Sequence, residues 1–218
     1  MAIPKVIYQT YKNENVPALT RFFIWLMKAR NPQYRYEFYD DKRIEAFFQA
    51  EYDESVYKAY KRIDIGAAKA DFFRYAVLYK YGGVYLDIDG YTLRNLDDMI
   101  RPDDTAVITR ERNPGIFAQY ALVFAQGHPI LKLCIDKILD NIEHDRYASD
   151  IHKLTGPSVF TDAVNEYMQQ GNKDCRIFGV DYEGFLRSKH LLHAGLFVKR
   201  EKWQKAQQAR PALKPKSL

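Results

Sequence analysis

The stretch AAKADFFRYAVLYKYGGVYLDIDGYT, residues 67–92, divides at Gly82-Gly83 into a helical half and an extended half. Asp64 is a good N-cap, and the run from Ile65 to Tyr81 has no proline and several strong helix formers, so a helix is predicted there. Gly82 sits where a left-handed C-cap is wanted. The helical spacing puts Ala67, Asp71, Arg74 and Leu78 on one stripe and Ala70, Phe73 and Val77 on a second, apolar stripe facing a core. Asp71 and Arg74, three residues apart, can pair with each other or point together at one ligand. Val84-Tyr85-Leu86 then reads as a strand. Its alternation puts Tyr85, Asp87 and Asp89 on one side and Leu86 and Ile88 on the other.

Two carboxylates on one face at the carboxyl end of a strand form a hard-cation site. Mg²⁺ and Mn²⁺ suit oxygen ligands and keep positions open for water and substrate phosphates. In parallel-sheet α/β proteins, ligands gather outside the carboxyl ends of strands. The plainer alternative makes Asp87 and Asp89 turn residues ahead of Gly90, and Asp71–Arg74 a structural ion pair. An Asp-x-Asp alone carries little weight; its frame of helix, Gly-Gly and Tyr supplies the rest.

That frame runs through Ala68, Asp71, Arg74, Tyr75, Leu78, Gly82, Gly83 and Tyr85 to Asp87 and Asp89. It resembles the Asp-x-Asp glycosyltransferases grouped as family 32, which include initiating α-1,6-mannosyltransferases, bacterial capsule and lipopolysaccharide sugar transferases and the glucosylating clostridial toxins. The opening Ile3-Pro4-Lys5-Val6-Ile7-Tyr8-Gln9-Thr10-Tyr11 is similar to the family's first strand, and Gly127-His128-Pro129 and Thr155-Gly156-Pro157 recur at the expected distances. The resemblance covers most of residues 3–170. It implies an α/β GT-A type fold with a mixed, mostly parallel central sheet flanked by helices. It also implies a divalent metal, Mn²⁺ or Mg²⁺, and retaining transfer of a hexose from a UDP- or GDP-sugar.

Carried over by position, the resemblance makes Asp71, Arg74, Asp87 and Asp89 the catalytic set. Asp89 would bind the metal, Asp87 would contact ribose or a metal-bound water and share the metal, and His193 would be its third ligand. Asp71 and Arg74 would hold the donor sugar, with Arg74 also near the diphosphate, and Tyr85 would contact sugar or phosphate. Tyr11 would stack on the base, with Gln9, Thr10 and Gly83 completing the donor-binding set. Three departures stand out: Tyr8 and Tyr11 replace a usual His and Trp, Gln119 replaces a frequent Asn, and His193-Ala194-Gly195-Leu196 is a remnant of the family's terminal motif. The sequence shows no obvious nucleophile, so the resemblance favours same-face attack through an oxocarbenium-like state, with the protein positioning and screening charge.

Two other readings compete. Asp87-Ile88-Asp89-Gly90 resembles the nucleophile motif of haloacid-dehalogenase-type phosphatases, but Tyr91 intrudes before Thr92-Leu93 and a downstream acidic motif is missing. A non-catalytic sugar-nucleotide or glycan-binding protein on the same fold is the other.

At 218 residues the chain is one domain with a small appendage: residues 1–198 as the catalytic domain and 199–218 as a basic tail. Its 47% hydrophobic content supports a core, and 17 Tyr and 13 Phe give surfaces that stack on sugars and bases. Net charge is +5, yet residues 199–218 hold seven Lys/Arg against Glu201, a net of +6, which leaves the body at −1. Nucleic acid is therefore not an expected partner. The tail, with Trp203, reads as a candidate for peripheral contact with anionic lipid, where a glycan or lipid-linked glycan acceptor would lie. No apolar run is long enough to span a membrane and no signal peptide is read at the start. Cys134 and Cys175 form no metal pattern. The expected setting is the cytoplasm of a bacterium, at the inner face of its membrane, in surface polysaccharide synthesis.

Along the chain, strands are predicted at 5–10, 34–39, 105–109, 116–125 and 176–180. Helices are predicted at 20–30, 41–51, on to about 61, 129–143 and from 155 to about 169. Acceptor-side candidates are Asn113, Thr155 and Gly156; His128 is expected to start a helix and Trp25 to be core.

Overall fold

The computed structural model describes residues 2–188 and 209–215. Its centre is a six-stranded sheet of β1 (Val6–Thr10), β2 (Arg35–Tyr39), β3 (Gly83–Leu86), β5 (Ala106–Arg110), β6 (Ala121–Phe124) and β7 (Cys175–Val180), in the order β2-β1-β3-β6-β5-β7. β1 pairs in parallel with β2 and β3, and β5 with β7; β6 runs antiparallel between β3 and β5. A short ribbon joins β4 (Gly90–Thr92) to β8 (Leu186–Ser188). The ribbon is not anticipated in the sequence, because three-residue strands carry almost no periodicity.

The alternation of each strand divides the core. Tyr8, Tyr85, Ile108, Leu122 and Phe124 face a thick helical layer. That layer contains α2 (Asp41–Glu51), α3 (Glu54–Arg62), α4 (Gly66–Tyr81), α5 (Pro129–Glu143), α6 (Ile151–Leu154) and α7 (Pro157–Gln169). Ile7, Val84, Leu86, Val107 and Val123 face a smaller core with Met27 of α1 (Ala18–Arg30), Leu96, Met99 and Tyr182.

Several local expectations hold. Asp40 caps α2 by accepting from the Arg43 N–H at 2.8 Å, and His128 caps α5. Gly82 ends α4 at φ +64, and Gly83 at φ +115 has its Cα so close to β1 that a Cβ would lie 2.8 Å from the Val6 carbonyl oxygen. That approach draws β3 onto β1 and explains the Gly-Gly pair without any ligand.

Others are corrected. The residue preceding α4 is Ile65, not Asp64; Asp64 donates its N–H to the Ala212 carbonyl and pairs with Arg210 at 3.0 Å. The two stripes expected of α4 merge, since residues 71–78 are buried all round. Trp25, expected in the core, is 62% exposed. The long strand at 116–125 shrinks to β6 (Ala121–Phe124); residues 116–118 instead make an isolated bridge back to the end of β5, at Arg110–Phe117. Of the expected tail, residues 210–214 dock on the body, where Leu213 bridges Ile63 and Lys214 donates to the Arg62 carbonyl. The rest of the basic segment lies outside the described residues.

Candidate functional site

The site forms where β3 ends. β3 stops at Leu86, and residues 87–89 turn so that the Gly90 N–H donates to the Asp87 carbonyl at 2.7 Å. The alternation predicted to continue to Asp89 is therefore broken by a turn, as the plainer alternative had it. The turn is not left to itself. Gln9 of β1 is wholly buried, and its amide nitrogen donates to the Asp87 and Gly90 carbonyls at 3.0 and 3.4 Å while its oxygen accepts from the Tyr36 hydroxyl at 3.2 Å. A buried amide whose nitrogen donates twice to one turn, with its oxygen anchored on β2, ties that turn to the sheet.

Beneath the turn lies a charge network anchored on α4. Arg74 and Asp71 sit three residues apart on α4, as spacing required, and pair at 3.1 Å. The same guanidinium nitrogen reaches Asp87 Oδ1 at 3.1 Å, and Tyr85 donates its hydroxyl to that oxygen at 3.1 Å. Arg74 also donates to the Gln119 carbonyl at 2.7 Å and lies over the Tyr85 ring, 4.7 Å from its centroid. Asp71 accepts from Gln119 Nε2 at 3.1 Å and from the Thr155 hydroxyl at 3.2 Å. Gln119 in turn accepts from the Tyr75 hydroxyl at 2.5 Å.

Burial pushes the Asp71 carboxyl up, to about 7, with the Asp87 charge adding to the push and Arg74, Thr155 and Gln119 holding it down. Arg74 is fully charged, because Asp87, Tyr85 and Asp71 outweigh the cost of its burial. Exposure then separates the four members of the predicted set. The side chains of Arg74 and Asp71 are 5% and 8% exposed, whereas that of Asp87 is 32% exposed. Asp89 is half-exposed and makes no hydrogen bond or ion pair to another described residue. What a ligand meets is Asp89 and one edge of Asp87, over a floor made by Arg74 and Asp71.

Several residues expected to touch donor or acceptor are spent elsewhere. Gln9 holds the turn, and Thr10 is buried with its hydroxyl beside the Tyr85 phenol. Gly83 lies at the opposite end of β3 from Asp87. Thr155 is buried on Asp71, and Gly156 is buried at the start of α7, where a Cβ would meet the Ile151 carbonyl at 2.9 Å. Asn113 is exposed on the 111–115 turn, and Tyr11 is half-buried just past β1. His193 lies outside the described residues. Sequence reasoning missed the supporting roles of Gln9, Gln119 and Thr155. The available signal for Gln9 was a lone amide inside an otherwise apolar strand, which burial obliges to find partners.

The donor set fits a hard divalent cation: two carboxylates on one turn, one of them without a partner among the described residues, match ions held by one or two carboxylates plus substrate phosphates. Among the described residues no group of three or more His, Cys, Asp or Glu forms a complete cage.

Residues 21–107 match the family model described as "Glycosyltransferase sugar-binding region containing DXD motif". The "Initiation-specific alpha-1,6-mannosyltransferase" of Candida albicans is 29% identical over 76% of this chain and 53% of its own length. The "Uncharacterized glycosyltransferase L373" of Acanthamoeba polyphaga mimivirus is 30% identical over 76% of this chain and 66% of its own. The chain thus spans about half the length of the mannosyltransferase and about two thirds of the viral protein. Among solved structures, the UDP-bound glycosyltransferase domain of the YGT toxin superposes with a TM-score of 0.59 over 89% of this chain and 82% of that one, at 9% identity. The fold expected from the resemblance is present: a mixed, mostly parallel sheet of GT-A type.

Proposed function

Since the chain belongs to the DXD-containing glycosyltransferases, we propose that it transfers a hexose from a UDP- or GDP-sugar to a glycan or lipid-linked glycan, with retention and with the help of a divalent metal. One observation carries the reading: a turn that leaves Asp89 without a partner among the described residues is held by the Arg74–Asp71–Tyr85 network and by Gln9.

Leaving-group departure builds negative charge on a diphosphate, and preorganised positive charge at that point lowers the barrier. An Mn²⁺ or Mg²⁺ ion on Asp87 and Asp89 would supply Lewis-acid stabilisation of that diphosphate. The chain's own residues do the rest. Arg74 holds Asp87 in one orientation and contributes a buried positive charge beneath it. Asp71, fixed by Gln119 and Thr155, keeps the guanidinium from swinging away. Tyr85 gives Asp87 Oδ1 a second donor beside Arg74, which fixes that carboxylate's orientation. Such a floor costs no reorganisation at the moment of reaction. No general base is required if the departing phosphate takes the acceptor's proton on the same face.

For the acceptor, the Candida relative is named for initiating α-1,6-mannose transfer, which favours a glycan. The relatives named here are fungal and viral, and the bacterial surface-polysaccharide setting is carried by the family resemblance alone.

The test is a panel of UDP- and GDP-sugars, with and without Mn²⁺, read by thermal shift and by slow hydrolysis on the wild type and Asp89→Asn. One donor is expected to raise the melting temperature only with metal, and its hydrolysis is expected to fall at least a hundredfold in the variant, whose unliganded stability stays unchanged because Asp89 has no described partner to lose. Equal hydrolysis by both proteins would sink the reading.

A further inference from the structure

Helix α1 covers little: of its 13 residues, Thr20 and Met27 are the buried ones. Its outward face carries Arg21, Phe22, Trp25, Lys28 and Ala29, all exposed and spaced as one side of a helix. Phe22 is 52% and Trp25 62% exposed, with their rings stacked at 5.9 Å. The helix has Arg21, Lys28 and Arg30 and no acid. Beside it the apolar surface continues into a groove of about 290 Å³ lined by Val16, Ile24, Tyr36 and Phe38, with Glu14 and Arg21.

The helix is tied to the site through residues off that face. The Phe23 ring packs 4.9 Å from that of Tyr91, Arg30 donates to the Thr92 carbonyl at 2.7 Å, and Asn31 donates to the Thr92 hydroxyl at 2.9 Å. Tyr91 and Thr92 belong to β4, which begins directly after Asp89. Whatever α1 rests on therefore lies one helix away from the segment that carries the Asp-x-Asp turn.

Charge decides what that is. An aromatic pair alone would suit a sugar ring or a second copy of the chain equally well. Aromatic residues flanked by basic ones, with no acid on the helix, match a helix lying in a lipid interface, where the rings take the boundary between headgroup and acyl chain and the cations meet phosphates.

We propose that the Phe22–Trp25 face of α1 docks on an anionic membrane surface, with Arg21 and Lys28 on lipid phosphates, and so holds the Asp-x-Asp turn beside membrane-borne acceptors. The docking stands on the surface itself; its use in acceptor delivery rests on the transferase reading. The two are separable in one set of preparations.

The experiment uses the full chain carrying Trp203→Phe, which leaves Trp25 as the sole indole. Vesicles of phosphatidylcholine, with and without roughly one third phosphatidylglycerol, are added and binding is read by cosedimentation and Trp emission. Expected are a blue shift and cosedimentation with the anionic vesicles and little of either with the neutral ones. In the same background, Phe22→Ser with Trp25→Ser should weaken cosedimentation at least tenfold. Removing either Arg21 or Lys28 should weaken it about fivefold, and reversing both should weaken it further. Donor hydrolysis in solution stays unchanged in all of these. The proposal is overturned if the Trp203→Phe chain ignores anionic vesicles, or if the surface variants bind them as well as it does. A response of Trp25 to soluble glycan or to protein concentration, with none to vesicles, overturns it in favour of a sugar platform or a self-contact. Absent donor hydrolysis in the parent chain would count against the transferase reading and leave the vesicle result intact.

Discussion

Helices α1 and α4 are both rich in aromatic residues, and their fates are opposite. Phe72, Phe73 and Tyr75 of α4 are wholly buried, whereas Phe22 and Trp25 of α1 are more than half exposed. The cause is what lies around each helix. α4 is enclosed by β3 and β6 on one side and by α2, α3 and α5 on the others, so that even Asp71 and Arg74 are taken out of water. α1 lies on the thinner face of the sheet beside Leu96, Met99 and Tyr182, and of its own residues only Thr20 and Met27 are buried. An aromatic residue states that area is available for burial; only its neighbours decide whether water or protein covers it.

The sharpest way to break this comparison is to remove charge from the covered helix. Arg74→Ala leaves Asp71 without its ion-pair partner in a dry site, and the expected loss is about 3–5 kcal/mol in urea unfolding, together with donor binding. A loss below about 1 kcal/mol would show that water reaches the floor of the site and that the charges are relaxed.

The dryness of the same layer can be read by pH through His128, which caps α5 between the Phe124 and Tyr167 rings. Burial holds its imidazole down, to about 4 from an ordinary 6.5, with Asp174 pulling the other way. The unfolded chain takes up the proton first as pH falls. This contribution is therefore complete above pH 6.5 and lost between about 6.5 and 4, on the order of 3 kcal/mol at full extent. Asp71, held up by burial, contributes with the opposite sign between its ordinary value and about 7. The clean measurement is thus the difference between wild type and His128→Asn, with Asn keeping the cap. That difference should grow as pH rises from 4 to 6.5; a flat difference would place the imidazole in contact with water.

The smallest effect belongs to the exposed helix. Phe22→Ala should change stability by no more than about 0.5 kcal/mol in the same urea assay. A loss above about 2 kcal/mol would mean that α1 is covered in solution and that the contrast with α4 is false.

Much of the fold was legible because its local signals agree with its tertiary structure. The runs 41–51 and 129–143 announce their own caps, and Gly82 its own C-cap, since these depend on neighbours a few residues away. The Asp71–Arg74 pair was legible as a possibility, because helical spacing brings the two together whatever else happens. Asp64 misled because a good cap residue is also a good ion-pair partner, and Arg210 claims it from the far end of the chain. Trp25 misled because an apolar helix face looks the same with or without a cover.

The sequence by itself determined most of the elements, the Gly-Gly join and the four charged residues that make the site, for these rest on backbone preference and spacing along one chain. Only the tertiary structure decided how those residues divide their work. Packing α4 against β3 buried Asp71 and Arg74, pairing β1 with β3 set Gln9 against the turn, and neither left a partner for Asp89 among the described residues. Those outcomes depend on which segments exclude water from which charge, and that is a property of contacts between residues far apart in the chain.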